Sequence, residues 1–128
     1  MKARVLVIED NEQNLYLITF ILEHHGYQVI QARDGKAGIQ IAKETRPDLI
    51  LLDIQLPEMD GYAVATLLRE DSDFDHVPVI AVTSYAMVGD REKAIEAGCT
   101  GYLEKPINPD TVASELEKYL AAAGKRRI

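Results

Sequence analysis

The chain has 128 residues, of which 47% are apolar and 27% charged, and its formal charge is −7. That length suits one domain with its own core, while the acidic balance argues against non-specific nucleic-acid binding and the lone Cys99 excludes an internal disulfide or a cysteine-based zinc site. The longest uncharged run, His76 to Gly89, falls short of the ~20 residues of a membrane helix, and the apolar run after Lys2 and Arg4 is too short for a signal peptide, so a soluble cytoplasmic protein without membrane or direct nucleic-acid partners is expected.

Val5 to Ile8 is an unbroken apolar run closed by Glu9 and Asp10, which suits a strand buried on both faces. Asn11 can cap a helix running to about His25 and stopped by Gly26. Leu17, Ile18, Ile21 and Leu22 make its core face, while Tyr16 and Phe20 fall toward the other side, as cover for neighbouring surface or as a docking patch. His24 and His25 suit the last turn, where positive charge is favourable. Gln28 to Ala32 is a weaker, partly polar run that fits an edge strand. Gly35 to Thr45 forms the next helix, ended before Pro47. Leu49 to Leu52 is a solid apolar strand closed by Asp53, and a helix from Gly61 to Glu70 follows Pro57. His76 belongs to an acidic surface loop with Asp71, Asp73 and Asp75. Val79 to Val82 is the fourth strand, closed by Thr83 and Ser84. Met87 to Ala97 reads as a helix stopped by Gly98, with Cys99 as a small buried thiol. Gly101 to Glu104 is the last strand and leads into Lys105. The final helix takes Asn108 as N-cap and Pro109 as its first residue, with Val112, Leu116, Tyr119 and Leu120 on one face. The alternation of strand and helix gives an α/β domain over residues 1–123 with helices on both faces of a parallel sheet. Residues 124–128 form a short basic tail.

In an open parallel sheet, chemistry sits outside the carboxyl ends of the strands. Glu9, Asp10, Asp53, Thr83, Ser84 and Lys105 all fall there. Three carboxylates so placed repel one another, by on the order of a few kcal/mol per pair at close range. A hard divalent cation offsets that repulsion, and Mg²⁺ suits an open cluster that leaves waters in place. Lys105 adds a second positive charge. Metal, lysine and hydroxyl together make a holder for a phosphoryl group. Asp53, at the end of the most hydrophobic strand, can attack phosphorus and become an acyl phosphate. Any one of these residues alone is readily a turn former or a helix cap; Glu9, Asp10, Asp53, Thr83 and Lys105 together at successive strand ends are what carries the reading.

The motifs Val7-Ile8-Glu9-Asp10-Asn11, Leu51 to Gly61, Ile80-Ala81-Val82-Thr83-Ser84 and Gly101-Tyr102-Leu103-Glu104-Lys105-Pro106 resemble the receiver domain of two-component response regulators. The resemblance covers essentially the whole chain. It implies a doubly wound, flavodoxin-like (βα)5 fold with five parallel strands in the order 2-1-3-4-5. It further implies Asp53 as phosphoacceptor, and Asp10 and Asp53 as direct Mg²⁺ ligands with Glu9 assisting through water. The backbone carbonyl of Gln55 is implied as a further ligand. Thr83 would bond the phosphoryl oxygen, Lys105 would neutralise it, and Tyr102 would be the aromatic that swings inward with Thr83. A cis bond before Pro106 is also implied. The segment from Ser84 to Ala97, with Tyr102 beside it, is the expected bistable element.

Glu9 stands where the family more often has Asp, which lengthens that arm. Gln55 and Tyr85 are the variable positions flanking the site, and the small Ser84 leaves a path to Asp53. Asn11-Glu12-Gln13-Asn14 and the stretch after Thr83 look most like receivers of the cell-division regulator type, and receivers of hybrid histidine kinases share them. The implied function is a single-domain switch. It would take a phosphoryl group from a phosphohistidine on a sensor kinase or a histidine phosphotransfer protein, hydrolyse it in time, and signal to a downstream protein. The first helix is a surface such partners use. A flavin-binding protein is disfavoured by the acids after the first strand, and a dinucleotide enzyme by the absence of G-x-G-x-x-G. An Asp-nucleophile, Mg²⁺-dependent phosphatase is the enzyme alternative. It usually has a second acid two residues after the nucleophile, where this chain has Gln55, and a cap insertion for which there is no room.

Overall fold

A computed structural model describes residues 3–84 and 88–126. In chain order it contains β1 (Arg4–Ile8), α1 (Glu12–His24), β2 (Gln28–Ala32), α2 (Gly35–Thr45), β3 (Leu49–Asp53), α3 (Gly61–Arg69), a short 3₁₀ turn at Ser72–Phe74, β4 (Val79–Thr83), α4 (Asp90–Ala97), β5 (Gly101–Glu104) and α5 (Val112–Arg126). The strands form one parallel sheet in the order β2-β1-β3-β4-β5, as the resemblance implied. The partly polar β2 lies at an edge. Among the described residues, no helix is long and apolar enough to cross a membrane.

Strand alternation sorts the core into two layers. Leu6, Ile8, Ile50, Leu52, Val79 and Ala81 pack with Ala42 of α2, Val64, Ala65 and Leu68 of α3, and Ala94 of α4. Val5, Val7, Leu49, Leu51, Ile80 and Val82 face the other way, against Leu15, Ile18, Ile21 and Leu22 of α1 and Val112 and Leu116 of α5. The central strands are therefore apolar at every position, and only their last residues are free to be polar. Side-chain caps start three of the helices: Asn11 accepts from the Asn14 amide, Asp34 from Ala37 and Asp60 from Ala63.

Three details differ from the sequence reading. Leu17 is 47% exposed and Leu15, 2% exposed, takes its place in the core. Leu15, Ile18 and Leu22 follow the 3.6-residue period, whereas Leu17 sits about 100° round the helix from Ile18. The last helix begins at Val112 and not at Pro109. Asn108 does not cap that helix by side chain. Its Oδ1 accepts from the Asp110 amide, closing a tight Asx-type turn, and its carbonyl accepts from Thr111 and Val112. At the other end α5 runs to Arg126, into the segment read as a tail. The fourth helix is observed from Asp90; its expected start at Met87, and Tyr85, lie outside the described residues.

Candidate functional site

The candidate site forms where the ladders of β1, β3, β4 and β5 run out. Parallel pairing aligns those ends: Ile8 stands beside Leu52, Asp53 beside Val82, and Thr83 beside Glu104. Backbone bonds continue a residue past the strands. The Glu9 amide donates to the Ala32 carbonyl at 3.0 Å, Ile54 to Val82 at 3.0 Å, and Lys105 to Thr83 at 2.7 Å. Each polar side chain thus leaves a fixed backbone, and preorganisation is built in before any ligand arrives.

Glu9, Asp10 and Asp53 bring carboxylate oxygens within 4.8 Å of one another. Glu9 and Asp53 are buried, at 1% and 4% exposure, and Thr83 is buried beside them; Asp10 is exposed. The Lys105 ammonium lies 2.5 Å from Glu9 Oε1 and 3.5 Å from Asp53 Oδ2. The Asn11 amide donates to Glu9 Oε2 at 3.1 Å, and the Gln55 amide donates to Asp53 Oδ1 at 3.0 Å. Three acids against one lysine leave the cluster short of positive charge. Burial, and after it the neighbouring Asp53, push the Glu9 carboxyl up to about 7 against the lowering effects of Lys105 and the Asn11 amide. A set of hard oxygen donors with excess negative charge fits a divalent cation such as Mg²⁺, and among the described residues no thiol or imidazole stands in the cluster.

The structure thus brings Glu9, Asp10, Asp53, Thr83 and Lys105 to one sheet edge. Glu9 is the surprise of the set. The sequence suggested an accessory acid, whereas the structure makes it the more buried partner and the closer anchor of Lys105. The Lys105–Pro106 peptide is cis. Tyr102 is half-buried on β5, and its hydroxyl has no hydrogen-bond partner among the described residues. Burial raises that phenol's pKa, as do Asp90 and Glu104. Gln55 enters through its backbone amide, a contact that residue identity cannot disclose. The sequence reading also missed the part of Gly61. A Cβ there would stand 2.6 Å from the Asp53 carbonyl and 2.7 Å from the Ile54 Cα, so glycine lets α3 begin hard against the end of β3, where the Gly61 amide bonds the Ile54 carbonyl.

The histidines stand apart from this cluster. His24 stacks on Phe20, which stacks on Tyr16, with ring centroids 6.5 Å apart in each pair. The half-buried His25 bonds the Pro109 carbonyl at 3.1 Å, so it joins α1 to the turn before α5. His76 is exposed, and Cys99 is buried with its thiol pushed up to about 11.

The family model described as the response regulator receiver domain matches residues 5–117. The chain belongs to the response regulator receiver family. Among relatives, this receiver is 43% identical over 123 residues to the polar-differentiation response regulator DivK of Brucella anthropi, covering 96% of this chain and all of that protein. Among solved structures, it is similar to the receiver domain of a sensor histidine kinase from Pseudomonas aeruginosa (34% identity, TM-score 0.87, covering 94% of this chain and 99% of that one), which holds a magnesium ion coordinated in its active site cleft. It is likewise similar to the chemotaxis protein CheY4 of Vibrio cholerae (28% identity, TM-score 0.87, covering 93% and 99%). Membership makes the receiver a signalling switch of two-component systems, in a family for which phosphorylation on Asp is implied.

Proposed function

We propose that Asp53 is the phosphoacceptor of this receiver and that residues 1–123 form the working domain, followed by the basic segment 124–128. The observation that carries this is the position of Asp53: a buried carboxylate at the end of β3, flanked by the Lys105 ammonium and by two further acids. An Asp53 oxygen attacks the phosphorus of a phosphohistidine on a sensor kinase or a histidine phosphotransfer protein. The P–N bond breaks, the imidazole leaves, and an acyl phosphate remains. Water later attacks the same phosphorus and restores the carboxylate. Asp10, Asp53, Glu9 and the Gln55 carbonyl would hold Mg²⁺, which when bound neutralises charge on the phosphoryl oxygens. Lys105 supplies the other positive charge, and Thr83 donates its hydroxyl to a phosphoryl oxygen.

Modification replaces a singly charged carboxylate with a group nearer −2. Lys105 then exchanges its contact with Glu9 for one with the phosphoryl group. Thr83 moves toward that group, and Tyr102, whose buried hydroxyl has no hydrogen-bond partner among the described residues to fix it, shifts with it. The exposed Tyr16, Leu17 and Phe20 of α1 offer the docking face for the phosphodonor. Output passes to a downstream protein in the cytoplasm. The test is labelling with Mg²⁺ and acetyl phosphate followed by intact mass. A single phosphoryl adduct is expected, absent from Asp53→Asn. No adduct, or equal labelling of the variant, overturns the assignment, and rapid turnover of many phosphomonoesters returns the phosphatase reading.

A further inference from the structure

We infer that Arg33, at the end of β2, steers the anionic phosphodonor to the site and favours the more negatively charged donor. The strand register sets its place. Ile8 of β1 pairs with Ala32 of β2 on one side and with Leu52 of β3 on the other, and the Glu9 amide carries the ladder on to the Ala32 carbonyl. One step further along these three strands stand Arg33, Glu9 and Asp53. Arg33 therefore leaves the sheet level with Asp53 and two strand spacings away, about 10 Å. Lys105 stands on the opposite flank, after β5, in contact with Glu9 and Asp53. A cation thus follows the strands on either side of the acids.

Arg33 is paired with a carboxylate outside the cluster. Its Nε donates to Glu12 Oε1 at 2.5 Å. Glu12 opens α1 one residue after Asn11, whose amide bonds Glu9, so the pair joins the end of β2 to the rim of the site. Asp34, next to Arg33, is engaged in capping α2 through the Ala37 amide. The terminal nitrogens of Arg33 have no partner among the described residues. A guanidinium with its terminal N–H groups unspent suits phosphoryl oxygens, and it stays charged at any working pH. The two side chains are 55% and 72% exposed. An ion pair so exposed adds little stability, and its consequence lies in where it puts charge. Without Arg33, the β2 side of the mouth would present Glu12 and the exposed Asp10 to an incoming anion.

Steering rests on Asp53 as the phosphoacceptor proposed above. The test is the rate of adduct formation on the full chain, followed by intact mass at saturating Mg²⁺ without added salt. The donors are acetyl phosphate, a dianion, and phosphoramidate, a monoanion. Arg33→Gln should lower the second-order rate constant for acetyl phosphate roughly two- to threefold, the size of one charge acting on a dianion at about 10 Å. The loss for phosphoramidate should be smaller. Glu12→Gln breaks the same pair and should instead raise the acetyl phosphate rate, by about twofold. Arg33→Lys should keep most of the parent rate. All these differences should vanish in about 1 M KCl, where the Debye length is about 3 Å. A pair that only ties β2 to α1 would make Arg33→Gln and Glu12→Gln shift the rate in the same direction, and that outcome overturns steering. An equal loss with both donors, or a loss that persists in salt, overturns it too. No adduct on the parent protein overturns the Asp53 assignment and steering with it, whereas a parent adduct whose rate Arg33→Gln leaves unchanged overturns steering alone.

Discussion

On the proposed function Lys105 would do two jobs that pull against each other. In the unmodified site it offsets the buried negative charge of Glu9, 2.5 Å away. In the modified site it is to neutralise the phosphoryl group. Lys105→Met therefore leaves Glu9 and Asp53 buried without their cation, a change that typically costs about 3–5 kcal/mol where a buried pair is broken. The proposed Mg²⁺ site shares that charge, so the loss should be partly recovered by the metal. Thermal melts of Lys105→Met in chelator and in millimolar Mg²⁺ check this: the metal should raise its Tm more than that of the parent protein. Equal increments would show that Lys105 and the metal do not compensate the same charge. Asp53 labelling by acetyl phosphate should also fall in this variant. The sequence disclosed Lys105, Asp53 and the two acids because strand-end positions in a parallel sheet converge whatever the side chains are. It did not disclose that Glu9 anchors the lysine. That depends on side-chain reach and burial, which residue order does not encode.

At the level of the element, α1 shows where periodicity stops being decisive. Leu15, Leu17, Ile18, Ile21 and Leu22 are all apolar, and Tyr16 and Phe20 lie between them. A helix so rich in apolar residues has more than one plausible inner stripe, and the choice between Leu15 and Leu17 is made by the sheet it lies on. Leu15→Ala should cost about 2–5 kcal/mol, as for a buried leucine. Leu17→Ala should stay within about 0.5 kcal/mol. Chemical denaturation of the two variants reads the difference directly, and a reversed order would put the wrong face inside. The start of the same helix was fully legible: the Asn11 side chain does accept from the Asn14 amide, and Asn11→Ala should cost about 1 kcal/mol. The start of α5 was not, because Asn-Pro-Asp-Thr serves a tight turn as well as a helix cap, and hydrogen bonding chooses between them.

For the molecule as a whole, the site sets a pH dependence opposite to that of ordinary carboxylates. The Glu9 carboxyl rises from about 4.5 to about 7 on folding, so between those values the folded chain binds more protons than the unfolded one. Stability then falls as pH rises: the contribution is complete below about 4.5 and is lost as pH passes through about 7. Mg²⁺ bound at the proposed site would compete with that proton for the same carboxylates, so its stabilising effect should grow over the same interval. Other carboxylates titrate as well, and the comparison that isolates Glu9 is with Glu9→Gln. In chelator, the Tm of the parent protein should fall relative to that of Glu9→Gln between pH 5 and pH 8, by several degrees for a difference of ~1–2 kcal/mol. With millimolar Mg²⁺ the gap should narrow at the alkaline end. If the two proteins track each other across the range in chelator, Glu9 is ionised throughout, and the cluster carries its full charge before any metal arrives. The domain would then have to meet that repulsion by its fold alone. On the proposed function the proton, the lysine and the cation would share it in turn, so that the empty, loaded and phosphorylated sites would each be held near charge balance.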